Sequence, residues 1–365
     1  MSKFIKKDGK TLDQIGLMKY KNSVILSLKK GGNALVRNLI PFLVITIFVS
    51  VALLNTASAS EEPSREEILQ QRMSYYVQFE DQLIPWYLLA AIDQYERNIQ
   101  SVRSDIPKRD GIIAIQFSDD SWSGALNPVS QDTTPSTIEF FGGMGLDGDG
   151  DGVADPKDDF DVIFTMANYL KSFGSTEEDY KYALWEYYRS EEVVNQITTI
   201  SKLYQHFKTM ELDEHTFPIP VHSQYSYRGT WGANRGWGGR RSHEGTDLFA
   251  GYGTQVVSTS YGVVEIKGWN QFGGWRIGIR DNHNSYHYYA HLGSFNKEIE
   301  VGDIVEPGTL LGYVGSSGYG KEGTSGKFPP HLHYGIYKFN GRSEWAFDPY
   351  PSLLQWEKQA KANKK

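Results

Sequence analysis

The chain reads as an α+β protein with several domains in series: an N-terminal membrane helix, an all-α segment and a C-terminal, mostly antiparallel β segment. Three observations predict this. A sixteen-residue uncharged run begins at Leu39. Capping patterns and apolar spacing of helical period fill residues 64–212, and short aromatic and branched runs broken by glycine turns fill residues 217–352.

At 365 residues the chain exceeds one typical domain. The absence of cysteine excludes a disulfide scaffold without forbidding export, and it excludes a closed thiolate metal site. Residues 1–38 hold nine Lys/Arg against two Asp/Glu, so the net charge of -7 conceals a basic head and a strongly acidic remainder. That acidic balance argues against nucleic acid as a partner. The run LIPFLVITIFVSVALL, extended to Ala59, is near the short limit for a membrane-spanning helix. The basic block before it belongs in the cytoplasm, which puts everything after it on the outer face. Ala57-Ser58-Ala59 also fits a cleavage site, so 39–59 is read as a retained anchor, with a removable signal peptide as the alternative.

Glu61 to Ser64 form a polar hinge, and Ser64 with Glu67 makes a capping box for a helix running to about Gln82. A second helix follows Pro85, and in it Leu89, Ile92 and Glu96 share a face. A carboxyl held against apolar groups has a raised pKa and can act as a general acid. Asp147-Gly-Asp149-Gly-Asp151-Gly-Val153-Ala-Asp155-Pro-Lys-Asp158 follows the calcium-loop pattern, with the Val153 carbonyl at position 7 and Asp158 in place of the usual Glu. Asp155-Pro156 suits a helix start, and that helix stops near Gly174. Two more helices fit 175–209, and Asp213 to Pro220 reads as a linker. Glycine turns then punctuate the β segment to 352, and 353–365 reads as a tail.

Three stretches of the β segment carry chemistry: His243-Glu-Gly-Thr-Asp247, Tyr289-Ala-His291-Leu and His331-Leu-His333. Alternate residues of a strand share a face, so His331 and His333 point one way while Leu332 and Tyr334 point into the other layer. Gly245, Gly251 and Gly253 disfavour a helix around Asp247 and set His243 and Asp247 at a loop-to-strand junction. Four histidines and an aspartate suit one zinc ion and the water it activates, and two histidines with a carboxylate describe a catalytic site better than a structural one.

In this order the three stretches closely resemble the zinc peptidases of the lysostaphin and LytM type, which cut peptide bonds in bacterial cell walls. The resemblance covers residues 217–352, including the turns at Gly251-Tyr-Gly253 and Val314 to Gly318. It implies His243, Asp247 and His333 as zinc ligands and His291 with His331 as the catalytic pair, and it leaves His206, His215, His222, His283 and His287 unassigned. Residues 70–208 also resemble lysozyme-like lytic transglycosylases through the Glu96 helix, Ala114-Ile-Gln-Phe117 and Ser121-Trp122. That resemblance implies Glu96 as acid/base and a structural calcium held by Asp147, Asp149, Asp151, Val153 and Asp158. Arg97 and Tyr188 depart from its pattern. Together the two imply a membrane-anchored hydrolase of peptidoglycan. The alternatives are a non-catalytic scaffold that binds peptidoglycan or a protein partner, and a glycan lyase with an accessory zinc domain.

Overall fold

The helical segment begins at Arg65 in the computed structural model, which describes residues 63–82, 84–236 and 241–363. Helix α1 (Arg65–Tyr76) runs into a 3-10 turn (Val77–Gln82), and α2 (Trp86–Val102) starts after Pro85, whose fixed φ of -64° suits the entry to a helix. Ser118 caps α3 (Asp119–Ser123), and α4 (Pro135–Phe140) begins on a proline. For α5 (Asp159–Phe173) the cap is Asp158, not Asp155: its carboxylate accepts from the Phe160 and Asp161 amides, while Asp155 accepts from Lys157. A capping box of Thr176 and Asp179 opens α6 (Glu177–Tyr188), and Ser190 caps α7 (Glu191–Phe207).

Helix α2 lies at the centre, packed chiefly on α7, with Leu89, Ala90 and Ile92 wholly buried. Its Asp93 is buried too. It is paired with Arg72 at 2.8 Å, accepts from the Tyr76 hydroxyl at 2.6 Å, and accepts from the Ala114 amide. A buried carboxylate needs such partners, and this one pins the segment around Ala114 alongside α2.

Among the described residues twelve strands follow. Those of the main sheet are β1 (Tyr225–Tyr227), β4 (Thr246–Ala250), β5 (Gln255–Val257), β6 (Gly262–Asn270), β7 (Gly274–Arg280), β8 (Ser285–Phe295), β9 (Ile304–Val305), β10 (Leu310–Val314), β11 (His331–Phe339) and β12 (Glu344–Phe347). The remaining two, β2 (Asn234–Arg235) and β3 (Arg241–Ser242), form a separate hairpin. All pairings are antiparallel, in the order β1-β4-β11-β8-β7-β6-β9, with β12 on β11 and β10 joining β5 to β8.

Two expectations about connections are corrected. The stretch from Asp213 to Pro220 is no loose linker: Phe217 and Ile219 are buried in the sheet core, and the Thr216 amide bonds the Thr259 carbonyl. The stretch from 353, read as a tail ending in a frayed helix, is a helix docked on the sheet. Helix α8 (Tyr350–Ala362) buries Leu353 and Trp356 against the sheet, and Glu357 accepts from the Tyr225 and Tyr227 hydroxyls. In both cases apolar side chains at strand or helix spacing supply the attachment.

The helical and β segments form one compact unit from Arg65 to Lys365. Val263 and Phe339 of the sheet are buried in the helical core, and the Asn98 amide of α2 donates to the Asn282 carbonyl at 3.0 Å. Among the described residues no helix is long and apolar enough to cross a membrane, and the run from Leu39 to Ala59 lies outside them.

Candidate active site

One face of the sheet gathers the polar side chains because strand register puts them there. His333 of β11 stands opposite Asp247 of β4 and Ala290 of β8, and His331 stands opposite Phe249. Alternation keeps Leu332, Tyr334 and Ile336 in the core behind. His291 breaks its strand's alternation. Strict period two would send it to the core face with Tyr289, but its φ is +63° and the β8 pairings slip around it. This bulge turns Ala290 and His291 outward together and lets Leu292 return to the core. A non-glycine residue in that region is strained, and such strain concentrates where it positions a functional side chain.

His243 Nε2, His333 Nδ1 and Asp247 Oδ1 converge. The imidazole nitrogens lie 2.9 Å apart, and each is about as far from the carboxylate, at 3.0 and 3.1 Å. His243 Nδ1 lies 2.9 Å from the Thr230 carbonyl. A carbonyl only accepts, so Nδ1 carries the hydrogen and Nε2 presents its lone pair to the cluster. Lone pairs and a carboxylate at such spacing repel unless a cation sits among them, and two nitrogens with one oxygen are zinc's usual donors. Burial opposes the Asp247 charge, yet its carboxyl falls well below the usual carboxylate range when the His243 and His333 imidazoles are protonated toward it, protons whose place a cation takes. Burial also pushes the His333 imidazolium down, which leaves the neutral form a metal requires.

His331 and His291 stand beside this cluster with their rings 4.9 Å apart, and His331 Nε2 is 3.7 Å from Asp247 Oδ1. Nδ1 of His331 donates to the Pro329 carbonyl at 2.8 Å and that of His291 to the Ser317 carbonyl at 2.7 Å, so both rings turn a lone-pair Nε2 inward. Burial lowers the His291 pKa to about 3, so its ring stays neutral. All five residues line one cavity of about 650 Å³, walled by Tyr288, Tyr319 and Phe328. Asn234 and Gly236 of the glycine- and arginine-rich stretch 232–241 also line it, with Ser242; residues 237–240 lie outside the described set.

The other predicted residues lie elsewhere. Glu96 is on α2, where it accepts from the Tyr188 hydroxyl at 2.6 Å, and burial raises its pKa to about 7. Arg97 leaves it alone and turns to Asp93 and the Ile112 carbonyl. Asp147, Asp149 and Asp151 come within reach of a common point, but Asp158 is occupied as the α5 cap and is not among them. His287 is buried behind the sheet between Asp281 and Tyr334, and His283 contacts Asp213. Sequence reading missed the three carbonyls that orient the imidazoles, since any residue type can supply a carbonyl. It also missed Arg276 of β7, which lines the same cavity.

An antiparallel sheet presenting a His/Asp/His cluster with two further histidines in one cavity is the architecture of a zinc peptidase. Residues 241–349 match the model of peptidase family M23. An L-Ala–D-Glu endopeptidase of Bacillus subtilis is 54% identical over 309 residues, 84% of this chain and 95% of that protein. The chain belongs to peptidase family M23. An alignment of that length also takes in the helical segment. Lysostaphin of Staphylococcus simulans is 34% identical over 113 residues, 30% of this chain and 21% of that protein. The lysostaphin catalytic domain, as a solved structure, is 31% identical with a TM-score of 0.31, covering 39% of this chain and 99% of that one.

Proposed function

We propose that this chain is a zinc-dependent endopeptidase that cuts the stem peptide of peptidoglycan between L-Ala and D-Glu. The observation that carries the reading is the convergence of His243, Asp247 and His333 beside two imidazoles whose lone pairs face the same cavity. The bond follows the B. subtilis relative. His243 Nε2, His333 Nδ1 and Asp247 Oδ1 would hold the zinc. Bound there, zinc supplies Lewis acidity, polarising a peptide carbonyl and bringing the pKa of water toward neutrality. His331 Nε2 accepts the proton of the attacking water and returns it to the departing amine, and His291 Nε2 orients that water as a second acceptor. The Pro329 and Ser317 carbonyls keep both rings in the tautomer this requires. Residues 39–59 anchor the chain, with the catalytic part on the cell-wall side.

A second reading adds to this one: Glu96 acts on the glycan strand. Burial supports it, since it raises the Glu96 pKa to about 7 although the hydrogen bond donated by the Tyr188 hydroxyl pulls the other way, and a general acid must keep its proton up to neutrality. One experiment addresses both. Purified peptidoglycan is digested with and without a zinc chelator and the products are read by mass spectrometry. New L-Ala carboxyl and D-Glu amino termini that vanish with chelator support the peptidase, and their absence overturns it. Anhydro-sugar ends lost in Glu96→Gln support the second reading, and a digest without such ends overturns that reading alone.

A further inference from the structure

Two arginines of β7 share the face that carries the histidines, and their surroundings differ. Arg280 is saturated: its Nε and Nη2 donate to Glu265 at 3.0 and 3.1 Å, and its Nη1 meets Glu344 at 2.6 Å. Arg276 lines the cavity beside Asp247, His291 and His333 and makes no hydrogen bond or ion pair among the described residues. Its Nε is enclosed with no partner. The guanidinium carbon lies 5.9 Å from the centre of the Tyr288 ring, and that ring is 6.0 Å from the ring of His333. Tyr288 is itself held flat across the sheet, its hydroxyl against Gly273 where a side chain would collide with it.

A partly buried guanidinium without a counter-charge is costly to keep, and its rigid fork matches a carboxylate. We infer that Arg276 forms a subsite for a carboxylate carried by the residue that follows the scissile bond. This rests on the endopeptidase reading above and supplies its chemistry. When a stem peptide continues through the side-chain carboxyl of D-Glu, the α-carboxylate of that residue is left free beside the bond to L-Ala. Arg276 and His333 line one cavity with the Tyr288 ring between them, so the guanidinium faces the same space as the metal cluster and meets a carboxylate carried next to the scissile bond from that side.

The test uses the full zinc-loaded chain and two synthetic stem peptides, one with γ-linked D-Glu and one with D-isoglutamine, whose α-carboxyl is an uncharged amide. Wild type is expected to favour the acid by about 10- to 100-fold in kcat/KM, the worth of a charge-assisted pair. Arg276→Gln should bring the ratio near unity while keeping its zinc, and Arg276→Lys should restore part of the preference. A purely structural role would slow both peptides alike and leave the ratio unchanged. Equal rates in wild type, or an unchanged ratio in Arg276→Gln, overturn the subsite. Wild type that cuts neither peptide, yet frees peptide termini elsewhere in whole peptidoglycan, overturns the assigned bond instead.

Discussion

Gly245→Ala tests the geometry of the metal cluster through a residue that carries no functional group. A Cβ at 245 would stand 2.6 Å from His333 Cε1, 2.8 Å from His333 Nε2 and 2.7 Å from the Tyr334 carbonyl oxygen. The carbonyl cannot yield cheaply, because β4 and β11 pair here with Thr246 opposite Tyr334. The imidazole must therefore retreat by about 0.8 Å to regain ordinary contact. Metal-ligand distances tolerate only about 0.2 Å. Zinc affinity should fall by about 10- to 100-fold, comparable to losing the support of a ligand. The assay is competition for zinc against a chelator of known affinity, paired with a thermal melt of the metal-free protein to establish that the fold survives. Wild-type zinc affinity in a folded Gly245→Ala protein would refute the placement of His333 in the cluster.

Other outcomes follow from the same coordinates. His331→Ala and His291→Ala should each cut stem-peptide hydrolysis by about 100-fold or more while zinc stoichiometry stays at the wild-type value; loss of metal in either would make it a ligand. Zinc at about 100 times its dissociation constant should add about 2.7 kcal/mol of stability, seen as a raised melting temperature that Asp247→Ala abolishes. Glu96 is an acid whose folded pKa is raised from 4.5 to about 7, chiefly by burial. Its contribution is complete below 4.5 and is lost as pH climbs to 7, on the order of 3 kcal/mol. Urea midpoints measured between pH 4.5 and 8 should fall in wild type and stay flatter in Glu96→Gln, and parallel curves would count against a protonated Glu96.

What was legible in the chain was local. Alternation in His331-Leu332-His333-Tyr334 fixed which side chains face the site and which the core, because a strand's period is set by its backbone. The two helices read across 175–209 likewise came from local spacing, and α6 and α7 fill that stretch. What escaped was either irregular or remote. His291 reaches the site only through a positive φ, which its residue type does not announce. The carbonyls of Thr230, Ser317 and Pro329 fix three tautomers but belong to segments far apart in the chain or outside the motifs. Phe217, Ile219 and Trp356 looked like residues of a linker and a tail because their partners lie on strands that sequence spacing cannot locate.

The division between sheet and loops assigns different roles to parts of one site. Asp247, His331 and His333 sit on paired strands, so their positions are as rigid as the ladder that holds them. The directions of the His243, His291 and His331 lone pairs depend instead on the Thr230, Ser317 and Pro329 carbonyls, outside those strands, which makes the conformation of these connections the control on reactivity. The helical segment bears on the sheet side of this arrangement. Asn98 of α2 holds the Asn282 carbonyl, in the turn that leads into β8, and β8 carries both Tyr288 and His291. Val263 and Phe339 complete the helical core from the sheet. Removing the helices would therefore expose two apolar residues of the sheet and release the start of the strand whose bulge places His291, so they are structural parts of the peptidase whatever Glu96 does.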